Sequence, residues 1–354
     1  MTILFAILLF SFLIFIHELG HFLAAKASKV RVNEFSMFMG PAIFKKQVGE
    51  TLYAIRCIPI GGYCAMEGEN EDTDDPHSFQ KAAWWKRLII LVAGSFMNFL
   101  AGFLILAIVF APAKQFAVPV IDSVESGCTV VRDGGLQIGD EILEVDGENI
   151  YVQSDFSMIL SLNPGDTHDL VVERNGKKLV FNDYKMEKHL FLDEETGQQT
   201  ERYGFTFGVE DANFGNKLKY TWNSTINVMR NVRMSLQMLV TGRVGLTDMA
   251  GPVGIVQMMS DTAEASQTKT AALLNVLYIG GFLAINLAVM NMLPIPALDG
   301  GRVVGLLLTC AIEKITRKKL DAKYEGYIHG IGMVLLLALM ALVLFKDIFA
   351  IFKR

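Results

Sequence analysis

The sequence predicts a polytopic α-helical membrane protein of about four transmembrane helices, carrying an inserted α+β domain. Three observations predict it. Of 354 residues, 52% are hydrophobic and only 19% charged, whereas a soluble domain carries about 25% charge. Four apolar runs, at 3–25, 88–111, 271–293 and 328–345, are each close to the ~20 residues that cross a bilayer. Between the second and third runs, short strand-like segments separated by turn signals replace the helical pattern. The net charge of −5 argues against nucleic acid as a partner. Four scattered cysteines without a CxxC indicate neither a disulfide framework nor a thiolate zinc site; they read as small packed hydrophobes.

The first run holds His17-Glu18-Leu19-Gly20-His21 inside an otherwise apolar stretch. On a helix the two imidazoles are one turn apart on one face, the spacing that grips a single Zn²⁺. Glu18 then stands where it can take a proton from the metal's water. The competing reading is a buried, hydrogen-bonded histidine pair. Ionisable groups at membrane depth are costly and usually functional, which favours the metal. The run lacks a basic leader and a small-x-small cleavage site, so it is expected to be a retained helix rather than a signal peptide.

The second run, 88–111, follows a loop rich in Lys and Arg, as does the fourth, 328–345. By the positive-inside rule both loops are cytoplasmic, placing both termini and the 112–270 region outside. His17 lies about 16 residues into the first span, or ~24 Å at 1.5 Å per residue. The motif is therefore expected near the cytoplasmic side of the membrane.

Two histidines leave a tetrahedral zinc short of a protein ligand. The third run closes on Asn291-Met292-Leu293-Pro294-Ile295-Pro296-Ala297-Leu298-Asp299-Gly300-Gly301. Pro294 and Pro296 break the helix, and irregular backbone at this depth belongs where it lines a cavity. Asp299 emerges at the depth expected for His17 and His21, making it the best third ligand. Its alternative role is to cap a following helix over 302–315.

Together, HExxH in the first helix and N-x-x-P-x-P-x-L-D-G-G in a later one resemble the site-2 protease family of intramembrane zinc metalloproteases. Within it, the chain resembles the bacterial regulator-of-sigma-E protease type, with four spans, a membrane-associated β-hairpin and a single PDZ domain. The resemblance implies one Zn²⁺ per chain held by His17, His21 and Asp299, with Glu18 as general base. It makes Asn291, with the broken helix at Pro294, the holder of an unwound substrate segment. It implies a bacterial inner-membrane location and membrane-embedded protein substrates, either anti-sigma factors or remnant signal peptides. Ile58 to Met66, including Gly61, Gly62 and Tyr63, follows a strand-like 51–57 and resembles the family's membrane-associated β-loop. Its edge is suited to pair with extended substrate, the alternative being an ordinary cytoplasmic hairpin. Gly94-Ser95-Phe96-Met97-Asn98 resembles a G-P-x-x-N signature with Ser95 in place of Pro, and helix–helix hydrogen bonding accounts for Asn98 nearly as well. Gly251-Pro252-Val253-Gly254-Ile255 matches a structural turn.

In the insert, Asp133-Gly134-Gly135-Leu136 through Asp146-Gly147-Glu148-Asn149-Ile150 resembles the core of PDZ domains. Asp146-Gly147 and Asn175-Gly176 are hairpin signals. A PDZ fold binds chain ends at a sheet edge. Here a filter that excludes substrates with large external domains is favoured, since no carboxylate-binding loop is evident. Trp222 to Leu239 shows helical spacing, read either as an amphipathic surface helix or as a packed connector. Acidic 67–75 reads as a solvated loop, and His77, His168, His189 and His329 receive no ligand role.

The expected domains are 1–111 with the first two spans and β-loop, 112–210 as the PDZ domain, 211–270 as the connector, and 271–354 with the last two spans. The expected function is site-2 cleavage of transmembrane segments in regulated intramembrane proteolysis. The alternative is a catalytically silent PDZ-containing membrane scaffold with a structural metal, although structural zinc sites normally fill all four positions with protein ligands. A metal transporter would need more polar residues along its spans.

Overall fold

A computed structural model describes residues 2–69, 73–192, 199–245, 251–317, 330–338, 340–343 and 345–346. Contacts divide the chain into two compact units, Met1–Val109 with Val228–Arg354, and Phe110–Asn227. The first and last expected segments thus share one unit, and the 211–270 connector is divided between the two.

The first unit is built on long apolar helices. Helix α1 (Thr2–Ala27), α2 (Trp84–Phe110) and α6 (Lys269–Asn291) match the three expected spans and are long and apolar enough to cross a membrane. Leu13, Leu9 and Ala6 of α1 pack against Val276, Ile279, Leu283 and Ala284 of α6 and Met259 of α5 (Pro252–Glu264). Leu4, Leu8, Phe96, Leu104 and Ile108 point outward and stay exposed, as suits helices whose solvent is lipid. The fourth expected span falls partly outside the described residues; 330–338 and 340–343 are helical.

Between α1 and α2 run β1 (Val32–Val48) and β2 (Thr51–Met66), both longer than the predicted hairpin. Each folds on itself. Residues 42–48 pair with 51–56 across the Gly49-Glu50 turn, while Glu34 to Met37 pair with Leu52 to Ile55 on one side and with Ala65 to Gly62 on the other. The 62–66 limb is therefore an edge, with one pairing partner among the described residues. Arg56 pins these limbs together, donating to Ser36 Oγ, Gly40 O and Glu34 Oε1 at 2.9, 2.6 and 2.6 Å and lying over the Tyr63 ring. Met39, Ile43, Phe44, Val48, Ile55 and Ile58 remain exposed toward the hairpin tip, an apolar surface consistent with membrane association. A second core joins this sheet to the helices through Ala25, Phe35, Met66, Ile90, Leu91 and Leu306. The acidic 67–75 segment is only partly the solvated loop expected: Glu67 accepts from Asn33, Glu69 pairs with Arg302, and Asp75 pairs with Arg31. These three carboxylates each find a cation or amide, which holds the segment down.

The second unit is an α+β domain. A sheet in the order β10 (Phe205–Asp211), β3 (Gln115–Val124), β4 (Glu141–Val145), β6 (Thr167–Arg174), β7 (Lys177–Lys185), with β5 (Glu148–Asn149) paired to β4, packs with α3 (Gln153–Leu162). Strands β8 (His189–Leu192) and β9 (Gln199–Arg202) form a separate pair. Both hairpin dipeptides read from the sequence form two-residue turns. Asp146 and Gly147 have φ of 51° and 79°, Asn175 and Gly176 of 51° and 75°, the left-handed pair that such turns demand. Ile121, Ile142, Val145, Phe156, Ile159 and Leu170 fill the core. Buried Asp140 receives two hydrogen bonds from Arg174 and one from the Gln137 amide, fixing the loop before β4. His168 lies against the Asp146 carboxylate at 2.8 Å, beside the β4–β5 turn. Helix α4 (Phe214–Val240) covers the stretch whose helical spacing the sequence showed.

Candidate metal centre

The site lies within the first unit, where α1, α2 and the start of α7 (Asp299–Thr316) converge. Pro294 and Pro296 cannot donate to a helix, and α6 ends at Asn291. The backbone then turns back, with Ala297 at φ 81°, and α7 begins at Asp299. The expected helix over 302–315 thus starts earlier, and Leu298 rather than Asp299 holds the N-cap position. The carboxylate is left to turn toward α1. Gly300 makes this possible: a Cβ there would stand 2.2 Å from the Met292 carbonyl oxygen, so only a bare backbone lets the loop cross over the helix start.

His17 Nε2, His21 Nε2 and Asp299 Oδ2 converge on one point. The histidine nitrogens are 3.2 Å apart, and each lies 3.2 or 3.3 Å from Asp299 Oδ2. Ligands about 2.0–2.1 Å from a tetrahedral ion stand roughly 3.3 Å from one another. The three separations therefore fit a tetrahedral metal. The proton inventory points the same way. His21 Nδ1 is 2.8 Å from the Ile90 carbonyl, which only accepts, so Nδ1 carries the hydrogen and Nε2 presents a lone pair. That lone pair faces Asp299 Oδ2, a buried oxygen with no hydrogen-bond donor among the described residues. Two electron-rich atoms held this close call for a cation between them.

Helix α2 forms the wall behind the imidazoles. A Cβ on Gly94 would lie 2.3 Å from His21 Nε2 and 2.8 Å from His17 Cε1, so the rings occupy the space a side chain would take. In front of the triad opens a cleft of about 430 Å³, walled by Glu18, Tyr63, Cys64, Asn291 and Arg302 among others. The 62–66 edge runs along this cleft. Its Gly62 packs on Glu18, where a Cβ would lie 3.5 Å from Glu18 Cγ.

Of the residues selected from the sequence, His17, His21 and Asp299 come together, and Glu18, Tyr63 and Asn291 share the cleft. Gly62 backs Glu18 from behind the wall. Gly61, at φ 79°, turns the chain into the edge limb, and Pro294 ends α6; neither lines the cleft. Two participants escaped the sequence reading: the space-making role of Gly94 and the Glu69–Arg302 pair. Asn98 meets His17 across helices, the kind of contact the sequence allowed for it, and Cys64 of the expected β-loop lines the cleft. Gly94 and Asn98 lay in a quoted motif. The Glu69–Arg302 pair joins positions 233 apart and left no local signal.

Comparison with known proteins bears on this geometry. The family model "Peptidase family M50" matches residues 5–339. The chain belongs to peptidase family M50, the site-2 proteases. Within that family it is 36% identical over 350 residues to a Clostridium perfringens protein assigned as a zinc metalloprotease, covering 98% of each chain. A Clostridium acetobutylicum protein assigned in the same way is 34% identical over 350 residues, covering 98% of this chain and 97% of the relative. The Bacillus subtilis regulator of sigma-W protease RasP is 25% identical over 436 aligned positions, covering 99% of each. The M50 match begins before His17 and ends beyond Asp299, so all three converging side chains lie inside it.

Proposed function

We propose that this M50 peptidase is an intramembrane zinc endoprotease that makes the site-2 cut in transmembrane segments of single-pass membrane proteins. The observation that carries the reading is the convergence of His17 Nε2, His21 Nε2 and Asp299 Oδ2 within 3.3 Å of one another, the two histidines on a helix apolar enough to span a membrane. These three side chains would hold one zinc per chain. Bound there, zinc supplies Lewis acidity, lowering the pKa of a water and polarising a peptide carbonyl.

The rest of the chemistry belongs to the chain. Glu18 follows His17 on α1 and lines the same cleft. Its carboxylate takes the proton from the attacking water and returns it to the leaving amine. A helical substrate hides its carbonyls in i→i−4 bonds and must unwind before it is cut. The 62–66 limb has one side without a strand partner among the described residues, beside Glu18, where such an extended segment could add. Tyr63 and Asn291 both line the same space, and Arg56 holds the limb in place.

The name of the Bacillus subtilis relative, a regulator of sigma-W protease, favours anti-sigma factors as substrates, with remnant signal peptides as a second class. The Lys/Arg distribution favours a bacterial cell-membrane protein with the site near the cytoplasmic side and residues 112–270 outside. The sheet, helix and Gly-rich loop of Phe110–Asn227 favour a PDZ-type module. The test is co-expression of wild type and Glu18→Gln with comparison of membrane-protein fragments. The variant should retain zinc and accumulate uncut transmembrane fragments; fragment patterns identical to wild type would leave only a scaffold role.

A further inference from the structure

Asn98 occupies an unexplained position. It lies on α2, one turn after Gly94, and is 1% exposed. Its amide Nδ2 is 3.5 Å from His17 Nδ1, and its Oδ1 is buried with no partner among the described residues. A second amide, Asn291 Nδ2, also stands 3.5 Å from the same nitrogen. The two asparagines approach one ring nitrogen from different helices, α2 and α6.

His17 Nε2 faces His21 and Asp299. To serve a metal it must present a lone pair, so the hydrogen of the neutral ring sits on Nδ1. An Nδ1–H needs an acceptor, and an amide NH₂ is not one. A half-turn of the Asn98 amide exchanges its oxygen and nitrogen. The oxygen then accepts from Nδ1–H, and one rotation pairs the ring proton and satisfies the orphaned Oδ1. His21 already has the matching arrangement in the Ile90 carbonyl, also supplied by α2. The single Nδ1 proton has one best acceptor. Asn291 lines the cleft, where substrate can reach it, whereas Asn98 is sealed behind the ring.

We infer that Asn98 is a positioning residue: its side-chain oxygen accepts from His17 Nδ1–H, fixing the tautomer and aiming Nε2 at the metal, which leaves Asn291 for substrate. The inference rests on the metal-centre reading above. It assigns α2 the orientation of both imidazoles, one through a backbone carbonyl and one through a side chain.

The test is zinc affinity of the full-length protein in detergent, measured by chelator competition, for wild type, Asn98→Leu, Asn98→Asp and Asn291→Leu. Partners that orient metal-bound histidines are worth about 10–100-fold in affinity. Asn98→Leu should weaken zinc binding by that factor. Asn98→Asp, which accepts but cannot donate, should stay within about threefold of wild type, and Asn291→Leu should bind zinc normally while losing cleavage. Thermal melting of the metal-stripped forms separates folding from binding and should agree among all four. Wild-type zinc affinity in Asn98→Leu would overturn the inference. So would an Asn98→Asp that binds zinc about tenfold or more weaker than wild type, because the group that matters would then be the donor; this arm, read against wild type, decides the question even if Asn98→Leu fails to fold. Absence of zinc from wild type would instead overturn the metal-centre reading on which the inference depends.

Discussion

At the scale of the residue, Gly94 shows how closely the site is fitted to its backbone. The two imidazoles fill the volume a β-carbon would need, 2.3 Å from His21 Nε2 at the nearest. Replacing it with alanine keeps helix propensity high and adds no charge, so any loss comes from displaced rings. Overpacking of this kind costs about 1–3 kcal/mol of stability, and moving one ligand spoils the common point of three. Gly94→Ala should therefore lower zinc affinity at least about tenfold, as outer-shell changes do, and metal analysis of the purified variant checks it. Full zinc occupancy at wild-type affinity would show that α2 yields more easily than the contact implies. Asp299 is the counterpart. Its place beside the two histidines was legible because two prolines and two glycines bracket it, whereas the need for Gly94 lay in a three-dimensional contact that no spacing rule encodes.

At the scale of the element, spans and turns were read well and the β-loop was read short. Helices α1, α2 and α6 follow from apolar runs of bilayer length, and the two hairpins of the second unit follow from Asp-Gly and Asn-Gly. The sheet of β1 and β2 was harder. Its limbs lack clean alternation because many of their apolar residues stay exposed, from Met39 to Ile58, and the pairing of 34–37 with 62–65 is not local. Arg56 is what the sequence concealed: one guanidinium ties Glu34, Ser36, Gly40 and Tyr63. Arg56→Met keeps much of the stem's bulk and removes those bonds. If the 62–66 edge positions substrate, kcat/KM should fall between about tenfold and 100-fold, the cost of a misplaced reactant. Zinc content should not change, because no ligand touches Arg56. Loss of zinc along with activity would assign this arginine to the fold of the whole unit instead.

At the scale of the whole molecule, the centre is assembled from distant parts of the chain. His17 and Asp299 are separated by 282 positions (299 − 17), and the second unit interrupts the first from Phe110, at the end of α2, to Asn227, within α4. Depth along the spans, read from apolar length and Lys/Arg bias, foretold that these parts would meet; it did not foretell the contacts that hold them, such as Glu69 with Arg302. The account's central claim is that this assembled centre cuts peptide bonds inside the membrane. Mass analysis of the products of a single-pass substrate, incubated with the full chain in lipid vesicles, tests it most directly. The account predicts one cut within the apolar segment toward its cytoplasmic end, abolished by a zinc chelator, restored by added zinc, and absent with Asp299→Ala. Cleavage confined to sequence outside the apolar segment, or undiminished in Asp299→Ala, would contradict it.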